Sequence, residues 1–287
     1  MKRRTAAWAL AAGIAASWAT GSPAAADDVQ VAVAANFAAP MQRIAAEFEK
    51  ATGQHAQVIS GATGKLRAQI ENGAPFDVLL AADDKTPAQL EAEGLGVPGT
   101  RFTYALGRLV LWSARPGFVD GAGAVLRQGH FEHLAIANPR LAPYGLAATQ
   151  TLEALGLAAL QTKLVQGESV AQTAEFVSTG SAELGFIALS QVLAQAAPGQ
   201  PTPGSYWLVP ANLYAPIRQD AVLLRRASAN RGARALLDYL KDPQVREAIR
   251  ADGYGLDEAP VPTAPMPAPA PARAPVPAPA SAPGPSR

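Results

Sequence analysis

A switch of hydrophobic period, repeated along the chain, limits what it can fold into. VQVAVAA, an apolar run beginning at Val29, is followed by Met41, Ile44, Ala45 and Phe48 at the spacing of one helical face, and Gly53 supplies a helix stop. The cycle recurs with a short strand near Val58, a helix over 64–72, a strand over 76–82 and a helix over 86–94. A long strand over 102–113 follows. Beyond it the pattern predicts a strand over 133–138, helices over 144–156 and 170–179, strands over 183–189, 206–210 and 221–226, and closing helices over 231–241 and 243–251. Alternation of this kind builds parallel sheets flanked by helices, and the roughly 230 residues involved suffice for two modest domains. No segment repeats at a solenoid period. The expected fold is α/β in two lobes, each a sheet flanked by helices, with the cleft between them as the binding site.

Both ends depart from this pattern. Lys2, Arg3 and Arg4 precede an apolar run over 6–19, and Ala24, Ala25 and Ala26 stand before Asp27, the layout of a secretory signal peptide over 1–26. Its apolar part is shorter than the roughly 20 residues of a membrane span; a retained anchor is the alternative. There is no cysteine, hence no disulfide, thiol chemistry or lipid-attachment cysteine. Removing those three basic residues from 24 Lys+Arg leaves 21 against 23 Asp+Glu, a formal charge of −2. Such a balance argues against nucleic acid as a partner, because that affinity needs a dense cationic face. At the other end, the segment from Ala259 holds 11 of the 25 prolines. The tail over 257–287 is expected to be extended and disordered, either a spacer or a tolerated terminus.

ISGATGKLRAQI, from Ile59 to Ile70, looks like a phosphate cradle, but only Ala62 and Thr63 separate Gly61 from Gly64 and Lys65, and Leu66 stands where a nucleotide P-loop carries its magnesium-binding hydroxyl. What remains is a helix N-terminus with free N–H groups, suited to an anion. Three other loops share the design: AANF (34–37), APYGLA (142–147) and GESV (167–170). Together they would aim helix N-termini at one cleft and hold an anion without arginine. The alternative for each is structural: Asn36, Thr63 and Ser169 as ordinary caps, and Tyr144 as a packing residue.

Enzymatic chemistry finds little support. The histidines are His55, His130 and His133; the last two, with Glu132 nearby, lack a third metal ligand in register and read as solvent-facing. No serine sits in a G-x-S-x-G elbow. No catalytic residue is assigned, and the chain is not expected to be an enzyme.

With AANFAAPM, NGAPFDVLLAADDKTPAQL, IANPRLAPYGLAATQTLEALG and GFIALSQV on the page, the chain resembles the periplasmic molybdate-binding proteins of ABC importers over about 29–255. The resemblance implies the two-lobed type II binding-protein fold closing over molybdate or tungstate, held by neutral donors, with no cofactor. By position it implies contacts from Ala35 and Asn36, from the Thr63 hydroxyl and N–H, from the Ala82 N–H, and from the N–H groups of Tyr144 and Val170. Some members carry a hydroxyl residue at the position of Ala35 and a tyrosine at that of Ala188; this chain has neither. It implies a monomeric periplasmic protein that delivers its ligand to an inner-membrane permease, with lobe 1 over 27–106 plus 219–256 and lobe 2 over 107–218. A site for sulfate, phosphate or a small organic acid is the alternative within the binding class; a secreted hydrolase or an envelope structural protein lies outside it.

Overall fold

The structure is a computed structural model that describes residues 28–196 and 200–257; the expected leader over 1–26 and the tail beyond Asp257 lie outside the described residues. The described residues belong to one compact unit. Its first half runs β1 (Val29–Ala34), a 3-10 turn (Ala35–Phe37), α1 (Ala38–Thr52), β2 (Ala56–Gly61), α2 (Thr63–Glu71), β3 (Val78–Leu80), α3 (Lys85–Ala92), β4 (Phe102–Gly107) and β5 (Leu109–Ser113). Then come α4 (Val125–Gln128), β6 (Leu134–Ala137), α5 (Pro143–Ala154), β7 (Leu164–Gly167), α6 (Val170–Ser178), β8 (Leu184–Ala188), α7 (Leu189–Leu193), β9 (Ser205–Leu208), β10 (Ile217–Leu223), α8 (Arg231–Tyr239) and α9 (Pro243–Ala251).

The strands form two sheets of one design, ordered β2-β1-β3-β10-β4 and β7-β6-β8-β5-β9. In the first, β1 pairs parallel with β2 and β3, whereas β10 runs antiparallel to β3 and β4. In the second, β6 pairs parallel with β7 and β8, and β5 runs antiparallel to β8 and β9. The expectation of purely parallel sheets is corrected to mixed ones. Successive parallel strands are joined through helices, but β5 and β10 each arrive from the other sheet and enter in the opposite sense.

The single strand expected over 102–113 is also corrected. β4 and β5 lie in different sheets, with Arg108 between them, so the run is one crossing between sheets. β10 carries the chain back, beginning at Ile217 rather than Ala221. Its polar start hid it in the sequence, yet Gln219 and Asp220 are buried. Asp220 accepts from Arg101 at 2.6 Å and Thr103 at 2.7 Å, which offsets the cost of burying the carboxylate. β7 was not expected either; LVQG is too short and mixed to stand out from the loop before α6.

Helix α1 shows how pattern became packing. Met41, Ile44, Ala45 and Phe48 are buried on one face, and Gly53, at φ 72°, ends the helix with its N–H on the Glu49 carbonyl. Each large side chain fully buried there contributes about 1.5–3 kcal/mol.

Candidate functional site

The four loops singled out in the sequence meet. Ala35, Asn36, Thr63, Ala82, Tyr144 and Val170 line one small cavity, and none of the residues lining it is charged. The first three follow β1 and β2 and Ala82 follows β3, all of the first sheet; Tyr144 and Val170 follow β6 and β7 of the second. The cavity sits where strand ends and helix N-termini of both sheets face each other.

Helix geometry explains the available donors, because the N–H groups of a first turn have no partner in their own helix. Thr63 and Val170 are the first residues of α2 and α6. In α5 the first residue is Pro143, which has no N–H, so Tyr144 is the first donor of that helix. Gly145 is required here: a Cβ would stand 2.1 Å from the Ala137 carbonyl oxygen, so only glycine lets α5 sit against the end of β6. The capping alternative holds for Ser169, which accepts from Gln172 N–H. It fails for Thr63, which lies inside α2 after the cap Ala62, and for Asn36, which lies inside the 3-10 turn.

Thr63 is 2 % exposed, and its Oγ1 accepts the Ala82 N–H at 3.0 Å. The Ala82 amide is thus engaged by a side chain of the same site. Next along, the Gly64 N–H donates to the Leu141 carbonyl at 2.9 Å, and a Cβ on Gly64 would lie 3.1 Å from Leu141 Cα. Lys65 pairs with Glu168. The glycine-rich turn therefore serves two purposes, lining the cavity at Thr63 and joining the loops of the two sheets at Gly64 and Lys65.

Asn36 is 3 % exposed and anchors a buried polar network. Its Nδ2 donates to Gln219 Oε1 at 2.9 Å and to the Tyr254 hydroxyl at 3.1 Å. The Tyr254 hydroxyl donates to the Asn36 carbonyl at 2.7 Å, and Ser190 Oγ lies 3.2 Å from that carbonyl oxygen. Gln219 Nε2 donates to the Tyr144 hydroxyl at 3.2 Å, while the Tyr104 hydroxyl lies 3.0 Å from both Gln219 Oε1 and the Ala81 carbonyl oxygen. Burial pushes the Tyr104 and Tyr144 hydroxyls well above their ordinary pKa, and that of Tyr254 up as well. The sheet-to-sheet strand β10 thereby carries a side chain that touches the first-sheet loop at Asn36 and the second-sheet helix at Tyr144.

Sequence reasoning missed Gln219, Tyr254, Tyr104 and Ser190. Gln219 lies between the strands expected over 206–210 and 221–226, and Tyr254 lies beyond the last helix. Ala188, where a further donor was weighed, is fully buried, and its N–H donates to Gln191 Oε1. His130, Glu132 and His133 are exposed, and among the described residues no three His, Cys, Asp or Glu stand together to hold a cation.

The family model for bacterial extracellular solute-binding proteins matches residues 29–255. The chain is 59% identical over 230 residues to the molybdate-binding protein ModA of Azotobacter vinelandii, spanning 80% of this chain and 90% of the relative. It is 48% identical over 233 residues to ModA of Rhodobacter capsulatus, spanning 81% and 90%. The solved structure of the Azotobacter vinelandii periplasmic molybdate-binding protein matches with a TM-score of 0.77 at 42% identity, over 80% of this chain and 100% of that one. The chain belongs to the bacterial extracellular solute-binding protein family.

Proposed function

We propose that the protein captures molybdate, or the isosteric tungstate, outside the cytoplasm and hands it to the permease of an ABC importer in the inner membrane. The observation that carries this is the uncharged cavity ringed by first-turn N–H groups from both sheets; the likeness to molybdate-binding relatives supports the choice of anion. The protein works as a periplasmic monomer and performs no chemistry on its ligand.

A dehydrated dianion loses strong hydration, so each of its oxygens must meet donors. The N–H groups of Ala35, Asn36, Thr63, Tyr144 and Val170 and the Thr63 hydroxyl supply them, and Ala82 holds Thr63 in position. Hydrogen bonds to a charged acceptor contribute about 1.5–3 kcal/mol each, so such a set exceeds the roughly 8 kcal/mol of a micromolar complex after association costs. Fixed donors select by size. Sulfate is smaller and leaves some bonds stretched, and hydrogen phosphate brings a proton that a set of donors alone cannot accept.

Lobe 1, 27–106 plus 219–256, supplies the contacts of Ala35, Asn36 and Thr63, and lobe 2, 107–218, those of Tyr144 and Val170. The ligand joins them, which favours the closed state the permease reads. Thermal unfolding with and without added anion tests this reading. Molybdate at about a hundred times its dissociation constant stabilises by about 2.7 kcal/mol, and the melting temperature rises. An unchanged melting temperature with molybdate and tungstate, beside a rise with sulfate, would move the assignment to another oxyanion.

A further inference from the structure

The glycine-rich turn holds a bond that anion contact at Thr63 does not account for. Gly64 is the second residue of α2, and its N–H is one of the first-turn donors that the helix cannot pair itself. It donates to the Leu141 carbonyl at 2.9 Å, in the loop after β6 of the other sheet. That carbonyl sits in a braced turn. The Asn138 carbonyl accepts the N–H groups of Leu141 at 3.0 Å and Ala142 at 2.9 Å, and Asn138 Oδ1 accepts that of Arg140 at 3.0 Å. The contact also suits a glycine: a Cβ on Gly64 would lie 3.1 Å from Leu141 Cα and 3.3 Å from its carbonyl oxygen. The φ of Gly64 is not positive, so close approach rather than backbone conformation favours glycine there.

The bond lies on the rim of the cavity. Thr63, just before Gly64, and Ala142, just after Leu141, both line it. Gly64 and Leu141 themselves line a wider groove, and Ala82, Ala142 and Pro143 border both spaces. The covalent crossings between the sheets, at Arg108 and over 209–216, are remote from both residues in sequence, so these two loops meet by noncovalent contact.

We propose that the Gly64–Leu141 bond is a latch between the cavity and the groove, which must break for the oxyanion to leave and so sets its residence time. This rests on the oxyanion reading given above. The latch uses two backbone groups and no charge, so salt does not weaken it. It forms only when the two loops come together, after the anion has reached the open cleft. It therefore slows departure and leaves the encounter untouched.

Gly64→Ala places a methyl group at the contact while supplying a better helix former, so the ligand-free protein is not expected to unfold more easily. Exchange of bound radiolabelled molybdate against unlabelled molybdate gives the dissociation rate, and calorimetry gives the dissociation constant. In the variant both are expected to rise about three- to tenfold, the loss of one backbone bond, and the association rate stays within about twofold. The rise persists at high salt. An unchanged dissociation rate in a folded variant, or a loss carried by the association rate, overturns the latch while leaving anion binding intact. A rise that vanishes in salt also overturns it and assigns the effect to the neighbouring Lys65–Glu168 pair. Absence of molybdate binding to the unaltered protein overturns the oxyanion reading and the latch with it. Amide hydrogen exchange on the unaltered protein needs no variant. Saturation with molybdate is expected to slow exchange at Gly64 about tenfold more than at Lys65, the next residue of the same turn, and equal slowing at the two contradicts the proposal.

Discussion

The Thr63 hydroxyl oxygen accepts the Ala82 N–H at 3.0 Å, so its own proton is not used in that bond, and both residues line the cavity. One bond thus keeps a side-chain donor beside the cavity and covers a buried amide. Thr63→Val removes both roles. Molybdate affinity is expected to fall about 10- to 100-fold, and stability by about 1–3 kcal/mol because the Ala82 N–H is left unpaired. Thr63→Ser retains the hydroxyl and restores both. Titration calorimetry and urea unfolding separate the two effects; a Val variant that binds normally removes Thr63 from the site.

Gly145 and Gly107 both exclude a side chain, for different reasons. A Cβ on Gly145 meets a backbone oxygen at 2.1 Å, whereas one on Gly107 meets the Tyr144 hydroxyl at 2.4 Å and Gln219 Nε2 at 2.7 Å. Backbone cannot yield, so Gly145→Ala is expected to cost about 3 kcal/mol in urea unfolding. Gly107→Ala displaces ends of side chains and costs less stability, yet it weakens anion binding by disturbing the network around Gln219. Equal stability losses in the two variants would contradict this distinction.

Much of this arrangement was legible in the sequence, and the reason lies in local rules. The apolar run of β1, the helical stripe from Met41 to Phe48 and the stop at Gly53 are each encoded within a few residues. The four strand-to-helix loops follow from the same grammar, whereas the individual residues Asn36, Thr63, Tyr144 and Val170 came from the family resemblance; they line one cavity. Long-range pairing was hidden. Nothing local indicates that Gln219 meets Asn36 across 183 positions. Buried polar residues resemble loop residues until their partners are known.

No charged group lines the cavity, and the buried tyrosines around it titrate above their ordinary value of 10.0. The protein's contribution to molybdate affinity is therefore expected to be flat between about pH 6 and 9, below the ordinary tyrosine range. A raised folded-state pKa also has a sign for stability. The contribution is fully present below the unfolded tyrosine pKa and is lost as pH climbs toward the folded one. Phenolate absorbance from Tyr104, Tyr144 and Tyr254 is expected to appear together with alkaline unfolding. Ionisation of these residues in the folded protein, well before unfolding, would contradict their burial.

The pair between Lys65 and Glu168 joins loops that follow different sheets, but the two side chains are 44 % and 69 % exposed. Exposed pairs contribute less than about 1 kcal/mol and are screened by salt. Lys65→Met should weaken molybdate binding by no more than about fivefold, with the difference from the unaltered protein vanishing at high salt. A large loss that persists in salt would mean that Lys65 touches the anion itself.

The central claim is an uncharged cavity that recognises a tetrahedral oxyanion by donors alone. Isothermal titration of the purified protein with molybdate, repeated in excess sulfate and then in excess phosphate, tests it most directly. The expected result is one-to-one binding at sub-micromolar concentration that survives both competitors. Absence of heat with molybdate, or binding abolished by sulfate, would contradict the assignment of the ligand.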